Sequence, residues 1–240
     1  MKTIAAFKWA MNPHNELMAT DGTLKWTANR QDTSDDDMAA IKVAVDLAAG
    51  DEVVALTVDS GDLSFAAARG ADRTVAISGV EPSAQPLEIA QALADAIDEL
   101  GIGAVAIADC FWSPMVAPLT AGILGWPCIM GVDEARAEGD DIIVTRRFGT
   151  GTQDVKVTGK VILGVAARRQ EEKAPSMRAV LQARKKPVAK LDKTAVPVAL
   201  FQQDGVRKPE AHVSRIFDAT EDLDGAIEQF ISACKAEGVL

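Results

Sequence analysis

The sequence predicts an α/β protein built on a doubly wound, mainly parallel β-sheet, followed by an extended arm and a C-terminal helix. Short apolar runs alternate with longer stretches in which apolar residues recur every three or four positions. This alternation continues through about the first 130 residues, and it is typical of parallel sheets covered by helices on both faces. Beyond that point the pattern becomes rich in strands, then irregular, and it ends in one amphipathic stretch.

The first strand and the first long helix are predicted near the N-terminus. Lys2 to Lys8 is an apolar run that suits a strand buried on both faces. Ser34 to Asp37 matches a capping box, in which the serine side chain and the aspartate three residues on bond each other's backbone N–H. Gly50 is expected to end the helix that follows. The apolar residues at helical spacing are Met38, Ile41, Val45 and Ala48.

Two more strands and two helices are predicted before residue 104. Glu52 to Val58 and Arg73 to Ile77 are the strands, and a short alanine-rich helix from Leu63 to Arg69 separates them. Pro86 begins a long helix that Gly101 ends. Its apolar face consists of Ile89, Leu93, Ile97 and Leu100.

The stretch from Ala104 to Pro127 is predicted to form a strand, a loop and a helix that face a ligand. The strand runs to Ala108, and the helix carries Val116, Leu119, Ile123 and Leu124 on one face. Ligands of open α/β sheets lie at the carboxyl ends of strands, and helix N-termini favour anions such as a nucleotide phosphate. Because neither GxGxxG nor GxxxxGK[ST] is present, the alternative that this unit binds nothing stays open.

The second half of the chain is expected to add strands, an arm and a terminal helix. The segments Asp140–Arg147, Gln153–Thr158 and Val161–Ala166 are either successive antiparallel strands, or two such strands followed by a return to the main sheet. We predict a sheet domain over 1–190 and an arm with a helix over 191–240. The terminal helix, about Thr220 to Ala236, either folds back or packs on another subunit. Its apolar face is Leu223, Ile227, Phe230, Ile231 and Cys234.

The composition disfavours several classes of partner and of chemistry. The net charge of −10 disfavours nucleic acid and anionic membranes as partners. With no leader and no bilayer-length apolar run, the chain is predicted to be cytoplasmic without membrane insertion. Cys110, Cys128 and Cys234 lie far apart among apolar residues and are interpreted as core residues, and no metal site is expected. A nucleophile, base and orienting group cannot be assembled, which makes a hydrolase the weakest alternative and leaves no catalytic residue to name.

Three stretches together resemble one family, the β subunit of electron transfer flavoproteins, also called the FixA-like family. EVVALTV followed by AAARGADRTVAI resembles the family's strand, helix and "GADRA-strand" unit. VAPLTAGILGWP is similar to its nucleotide loop and helix, and VTRRFGTGT with VLQARKKPVAKL to its "TRE.DGG" hairpin and "IM.AKKKP" segment. The resemblance covers about Lys2 to Leu191.

The resemblance implies a Rossmann-like, adenine-nucleotide-binding β subunit in a heterodimer with an α subunit. In that family FAD is bound mainly by the α subunit, and the C-terminal arm of the β subunit wraps around α. The β subunit usually holds AMP, and in the electron-bifurcating branch it holds a second FAD instead. The loop from Ala10 to His14 and Asp36 would face the flavin on α. The AMP-binding residues carried over to this chain are Ala6, Ser34, Asp35, Asp36, Asp37, Val58, Asp109, Ser113, Val116, Ala117, Pro118, Leu119 and Thr120.

The predicted phosphate donors are backbone groups at the start of the helix. The N–H groups of Val116, Ala117, Leu119 and Thr120 are expected to be free, whereas Pro118 has none.

The chain departs from the family in its predicted nucleotide site. Ser34 to Asp37 replaces "NP.DE", and the shortened loop from Asp109 to Ser113 carries two bulky aromatic residues. Each unpaired carboxylate near a phosphate costs on the order of 1 kcal/mol or more. We therefore expect AMP rather than FAD, and an empty or altered site stays open.

A second departure lies in the segment with which the family docks on flavin-dependent dehydrogenases. Met177 takes the place of its anchoring leucine, Lys173 that of its arginine and Ala174 that of its tyrosine. The alternative for Met177 is that it packs under its own helix. The predicted docking residues are Lys173, Met177, Arg178, Leu181, Arg184 and Lys185.

The sequence therefore predicts an electron-carrier subunit that catalyses no bond chemistry itself. The alternatives are a β subunit of the bifurcating type and a stand-alone nucleotide-binding regulatory protein, in which the terminal helix would fold back on its own sheet.

Overall fold

The computed structural model describes residues 1–12, 15–21, 23–26, 31–109, 114–166, 174–193 and 214–240. The strands in these ranges are β1 (Thr3–Phe7), β2 (Ala10–Met11), β3 (Glu16–Met18), β4 (Leu24–Trp26), β5 (Gln31–Asp32), β6 (Val53–Val58), β7 (Arg73–Ser78), β8 (Ala104–Ala108), β9 (Cys128–Glu138), β10 (Asp141–Phe148), β11 (Gly151–Thr158), β12 (Val161–Val165) and β13 (Val188–Asp192). The helices are α1 (Asp35–Ala48), α2 (Pro86–Leu100), α3 (Val116–Leu124), α4 (Met177–Ala183) and α5 (Leu223–Ala236).

One large sheet organises the fold. Its strand order is β11-β10-β9-β12-β8-β1-β6-β7-β13, and β2–β5 and β3–β4 form two small separate sheets. The pairs β9–β10 and β10–β11 are antiparallel, whereas the remaining pairs of the large sheet are parallel. The predicted doubly wound, mainly parallel α/β fold is confirmed. The chain winds outward from β1 through β6 and β7 and returns to the other side of β1 at β8, so the strand order reverses between β1 and β8.

Helices cover both faces of the sheet because buried strands alternate their side chains. Along β1, Ala5 and Phe7 join the apolar cluster under α1, whereas Ile4 and Ala6 join the cluster under α2 and α3. All five residues of β1 are buried. The apolar run at the N-terminus therefore corresponds to a central strand packed on both sides.

The start of α1 forms as the sequence predicts. The Ser34 side chain accepts a hydrogen bond from the Asp37 N–H, and the Asp37 side chain accepts from the Ser34 N–H, which completes the capping box. The helix ends at Ala48, and both Ala49, with φ of 52°, and Gly50, with φ of 94°, have positive φ values just after it.

Other local expectations are corrected. The predicted helix from Leu63 to Arg69 is reduced to a single 3-10 turn, Ala67–Arg69. The long strand β9 was not predicted. Of the two arrangements considered for the β-rich region, the return to the main sheet is the observed one, since β12 pairs in parallel with β8 and β9.

The beginning of the predicted arm also differs from expectation. The arm was predicted to begin at residue 191, yet Val188–Asp192 pairs in parallel with β7 at the edge of the large sheet. Residues 194–213, which hold most of the predicted arm, lie outside the described ranges.

The chain contains a second compact unit, formed by residues 18–23 and 204–240. Its helix α5 begins at Asp222, whose side chain accepts a hydrogen bond from the Gly225 N–H at 2.9 Å. Phe217 and Phe230 pack edge to face, with ring centroids 5.7 Å apart. Along the predicted apolar face, Leu223 is 60% exposed and Ile227 46% exposed. Among the described helices, none is both long and apolar enough to cross a bilayer.

Gly61 allows the Trp9 side chain to pack against the loop after β6. The Trp9 Nε1–H donates to the Asp62 carbonyl at 3.2 Å, and the indole contacts the Phe65 ring edge to face. A Cβ atom on Gly61 would lie 2.2 Å from Trp9 Cγ. We expect Gly61→Ala to lower the free energy of unfolding in urea by about 1–3 kcal/mol more than a matched control does, because the indole must move.

The matched control is Gly139→Ala. Gly139 has a φ of 64°, close to the 65° of Gly61, but no atom lies within 4 Å of the position of its Cβ. The two variants share the backbone strain and differ in the clash. Equal losses of stability would mean that Trp9 is not held against Gly61.

Candidate functional site

A cavity opens at the carboxyl ends of β1, β6 and β8, beside the point where the strand order reverses. Its volume is about 340 Å³, a value that includes solvent at its mouth. Ligands of open α/β sheets bind at such a reversal point. The residues that line the cavity are Ala6, Phe7, Lys8, Asp37, Val58, Ile89, Leu93, Ile107, Ala108 and Val116.

The polar part of the cavity wall is centred on Asp37. Its side chain is buried, and it accepts hydrogen bonds from the Ser34 N–H and Ser34 Oγ–H, both at 2.8 Å, and from the Lys8 N–H at 3.2 Å. Burial raises the pKa of Asp37 to about 6, although the bonds from Ser34 and Lys8 favour the charged form. The capping box thus ties the start of α1 to the end of β1 and places a titratable group at the cavity.

The start of α3 offers fewer backbone donors than the sequence predicts. Met115 is the N-cap and has a φ of 66°, and the Leu119 N–H donates to the Met115 carbonyl at 3.0 Å. The expectation of a free N–H on Leu119 is therefore wrong. Thr120 is one residue further into the same helical ladder, so that the same correction applies to it. Only the N–H groups of Val116 and Ala117 precede this ladder.

The predicted apolar face of α3 is also partly wrong. The buried residues are Val116, Ala117, Thr120 and Ala121, whereas Ile123 is 38% exposed. The Thr120 hydroxyl donates to the Val116 carbonyl at 2.8 Å, which satisfies it inside the core.

Asp109 directly follows Ala108, the last lining residue of β8. Partial burial and the negative charge of Asp36 raise the pKa of Asp109, and the positive charge of Arg147 lowers it. Burial, with a smaller contribution from the Asp109 charge, raises the pKa of the Cys128 thiol to about 11. Cys128 is therefore a thiol at neutral pH, unsuited to nucleophilic attack.

The structure brings together part of the predicted nucleotide site. Ala6, Asp37, Val58 and Val116 line the cavity, and Ser34 is bonded to Asp37. The other predicted residues do not line it: Asp35, Asp36, Asp109, Ala117, Pro118, Leu119 and Thr120. Ser113 lies outside the described residues. Whether any of these residues binds a nucleotide stays a prediction.

Sequence reasoning missed several lining residues, although signals for them were present. Ile89 and Leu93 were assigned to the face of α2 that packs on the sheet, and their position near its N-terminus is what places them at the cavity. Phe7, Lys8 and Ala108 end strands that were predicted correctly. Assigning the carboxyl ends of all neighbouring strands to the site would have found them.

The predicted docking segment presents an exposed surface on α4. Met177 is 75% exposed and Leu181 54% exposed, so the alternative that Met177 packs under its own helix is excluded. Arg178, Arg184 and Lys185 are also exposed. Lys173 lies outside the described residues.

One residue at the end of α4 fixes this surface to the sheet domain. The Lys186 ammonium donates to the carbonyls of Ala67 and Ala71, at 3.3 and 2.6 Å. These carbonyls belong to the 3-10 turn and the residues just after it, so α4 is held against the loop between β6 and β7.

The amino-acid sequence matches a known protein family. The model of the electron transfer flavoprotein domain family matches residues 24–196, more than half of the chain. The chain belongs to the electron transfer flavoprotein family. It is 28% identical over 191 residues to a protein of Bradyrhizobium diazoefficiens named electron transfer flavoprotein subunit beta, which covers 78% of this chain and 70% of that protein.

A second relative matches a smaller part of the chain. The chain is 27% identical over 141 residues to a protein of Schizosaccharomyces pombe named probable electron transfer flavoprotein subunit beta. That match covers 57% of this chain and 55% of the relative, so the chain spans about half the length of this family member. Both relatives agree with the predicted resemblance to the β subunits of the family.

Proposed function

We propose that this chain is the β-type subunit of a heterodimeric electron transfer flavoprotein and that it holds AMP as a structural ligand. Together with a partner subunit that carries FAD, it passes electrons from a flavin-dependent dehydrogenase to a downstream acceptor. The observation that carries the proposal is the cavity at the strand reversal of a chain that belongs to this family.

Most of the cavity residues suit the base of a nucleotide. Eight of the ten lining residues, all except Lys8 and Asp37, have apolar side chains, which suits the flat face of a base. AMP would be held by the walls from β1, β6 and α2, with its phosphate towards the start of α3.

The chain supports a carrier role rather than catalysis of its own. The Cys128 thiol is protonated, and the Asp37 carboxylate is occupied by three donors from Ser34 and Lys8. FAD on the partner subunit supplies the redox chemistry when bound. The residues of this chain shape the protein around it and exclude water.

Two exposed surfaces support the proposed partners. The apolar face of α5 suits a permanent contact with the FAD-carrying subunit, since large apolar patches on a surface mark interaction sites. The smaller surface of Met177 and Leu181, flanked by cationic side chains, suits a transient contact with a dehydrogenase.

The proposal is tested by co-expressing the full chain with the flavoprotein subunit encoded by a neighbouring reading frame. We expect a stable heterodimer that contains one FAD and one AMP, measured by chromatography of the nucleotides released on denaturation. Two FAD per heterodimer would instead identify the bifurcating type. A folded monomer that binds nucleotide and never copurifies with a flavoprotein would contradict the carrier role and favour the regulatory protein.

A further inference from the structure

Lys8 is the cation among the described residues that line the cavity. It directly follows β1, and it is half-buried. The aliphatic part of a lysine side chain packs on apolar surface while its ammonium group stays close to water. A half-buried lysine in the wall of an apolar cavity therefore offers a positive charge to a ligand that enters the cavity.

The backbone around Lys8 is held from two sides. The Lys8 N–H donates to Asp37 Oδ1 at 3.2 Å, at the start of α1. The next residue, Trp9, donates its Nε1–H to the Asp62 carbonyl at 3.2 Å, and its carbonyl accepts from Ser60 Oγ–H at 3.4 Å. The end of β1 is thus attached both to α1 and to the loop after β6, so the fold itself sets the position of Lys8 at the cavity.

The alternation of side chains along β1 places Lys8 on the side of α2 and α3. Ile4 and Ala6 belong to the apolar cluster under these helices, and Lys8 is the next residue in the same alternation. That cluster also supplies most of the cavity wall, through Ala6, Val58, Ile89, Leu93, Ile107 and Val116. The Lys8 side chain and the apolar wall therefore face the same space.

The start of α3 is a second source of positive potential in this wall. Val116 lines the cavity, and its N–H precedes the helical ladder in which the Leu119 N–H donates to the Met115 carbonyl. The N-terminus of a helix carries a partial positive charge. Lys8 and the start of α3 therefore both favour a negative group in the cavity.

Carboxyl groups at the same edge of the sheet make the charge of Lys8 necessary for an anionic ligand. Burial raises the pKa of Asp37, whereas hydrogen bonds from Ser34 and Lys8 and the positive charge of Lys8 lower it. Burial, followed by the negative charge of Asp36, raises the pKa of Asp109. Without Lys8, an ionised Asp37 would leave the cavity wall negative and would repel a phosphate. An ammonium group is a compact point charge with three donors, so contacts with the protein do not prevent it from attracting a phosphate.

We propose that Lys8 recognises the phosphoryl group of the nucleotide, so that the site binds a nucleoside monophosphate more tightly than the nucleoside. The inference rests on the proposed nucleotide site and names the residue that selects its ligand. The apolar wall contacts the base of either compound, whereas only the monophosphate gains from the charge of Lys8.

The test compares AMP with adenosine as probes. The full chain, freed of endogenous nucleotide, is titrated with each compound by calorimetry, alone and as the heterodimer if one forms. We expect Lys8→Met to weaken AMP binding on the order of 10-fold and to leave adenosine binding unchanged, because methionine keeps the apolar packing but removes a charge-assisted contact. Lys8→Arg should retain a preference for AMP, since the positive charge stays.

The matched control is Lys2→Met, which removes the same charge at the other end of β1. The Lys2 ammonium pairs with Glu52 at 2.9 Å. Six residues of extended chain separate Lys2 from Lys8, or about 20 Å, which exceeds the Debye length of about 8 Å at physiological salt. Lys2→Met should bind both probes as the wild type does. Equal losses of AMP affinity in Lys2→Met and Lys8→Met would mean that net charge, rather than the position of Lys8, determines the affinity.

The remaining outcomes separate this inference from the proposed function. If the wild type prefers AMP to adenosine and Lys8→Met keeps that preference, the role of Lys8 is refuted while the nucleotide site stands. If the wild type binds neither probe, the proposed AMP site fails and the inference fails with it. Adenosine binding also reports on the shape of the cavity, so if Lys8→Met loses it, Lys8→Gln takes the place of that variant and is judged by the same ratio.

Discussion

Replacing Leu223 and Ile227 with aspartate is expected to abolish copurification of the chain with the proposed FAD-carrying partner. Both side chains lie on the apolar face of α5 and are 60% and 46% exposed. Burying a Leu or Ile side chain contributes about 1.5–3 kcal/mol, and a buried unpaired aspartate adds a desolvation cost. The measured quantity is the amount of partner retained on an affinity column by the tagged chain.

The change leaves the described contacts of α5 in place. The Phe217–Phe230 contact and the Asp222 cap do not involve either residue, so the helix should persist in circular dichroism spectra. Gln229→Asp/Ser232→Asp adds the same two charges on the opposite face of α5 and should retain the partner. Equal retention by both double variants would show that this face of α5 does not contact the partner.

The second large effect is on the pH dependence of stability, through Asp37. Its pKa is raised from 3.8 to about 6 in the folded chain. Between these pH values the Asp37 carboxyl keeps its proton in the folded state and has lost it in the unfolded state. The contribution of Asp37 to the free energy of unfolding is therefore largest below about pH 4 and falls as the pH rises through 6. The loss amounts to about 3 kcal/mol at 1.36 kcal/mol per pKa unit.

This contribution is measured as a difference between the wild type and Asp37→Asn. Free energies of unfolding in urea are determined from pH 4 to pH 8 for both proteins, so that other carboxyl groups cancel. The wild type should lose stability relative to Asp37→Asn as the pH rises, and the difference should level off above pH 7. Asp35→Asn removes an exposed carboxylate from the same helical turn and serves as the control. Parallel curves for the wild type and Asp37→Asn would contradict the raised pKa.

The parts of the fold that follow local rules could be predicted from the sequence. The capping box of α1 needs only Ser34 and Asp37, three residues apart, and both of its hydrogen bonds form. The apolar run of β1 likewise indicates a strand without any knowledge of its neighbours. These features depend on short-range geometry that a sequence displays directly.

The strands beyond α3 could be predicted only in part, because long-range pairing decides them. In β9 the pairing with β12 and β10 shifts register near Gly131 and Asp133, which disrupts the alternation that identifies a strand. Val188–Asp192 is a strand only because β7 is beside it. Four of the five residues of β13 are exposed, so its sequence lacks the apolar run that would indicate a strand of the large sheet.

The residues of the candidate site that lie at strand ends or at the start of α3 could be predicted from the sequence. Ala6, Val58 and Val116 were reached through the resemblance and do line the cavity. The bond from the Lys8 N–H to Asp37 joins residues 29 positions apart. It could not be read from spacing, because the contact exists only after the sheet has formed.

The pairing of β13 with β7 lowers the entropy cost for a molecule that binds α4. The segment between β12 and β13 is an internal connection with both ends fixed in one sheet, five strand spacings or about 24 Å apart. Lys186 adds a third attachment. The loss of backbone entropy needed to order α4 is therefore incurred when the sheet folds. A molecule that binds Met177 and Leu181 meets a preorganised surface, and its affinity is reduced mainly by the immobilisation of a few side chains.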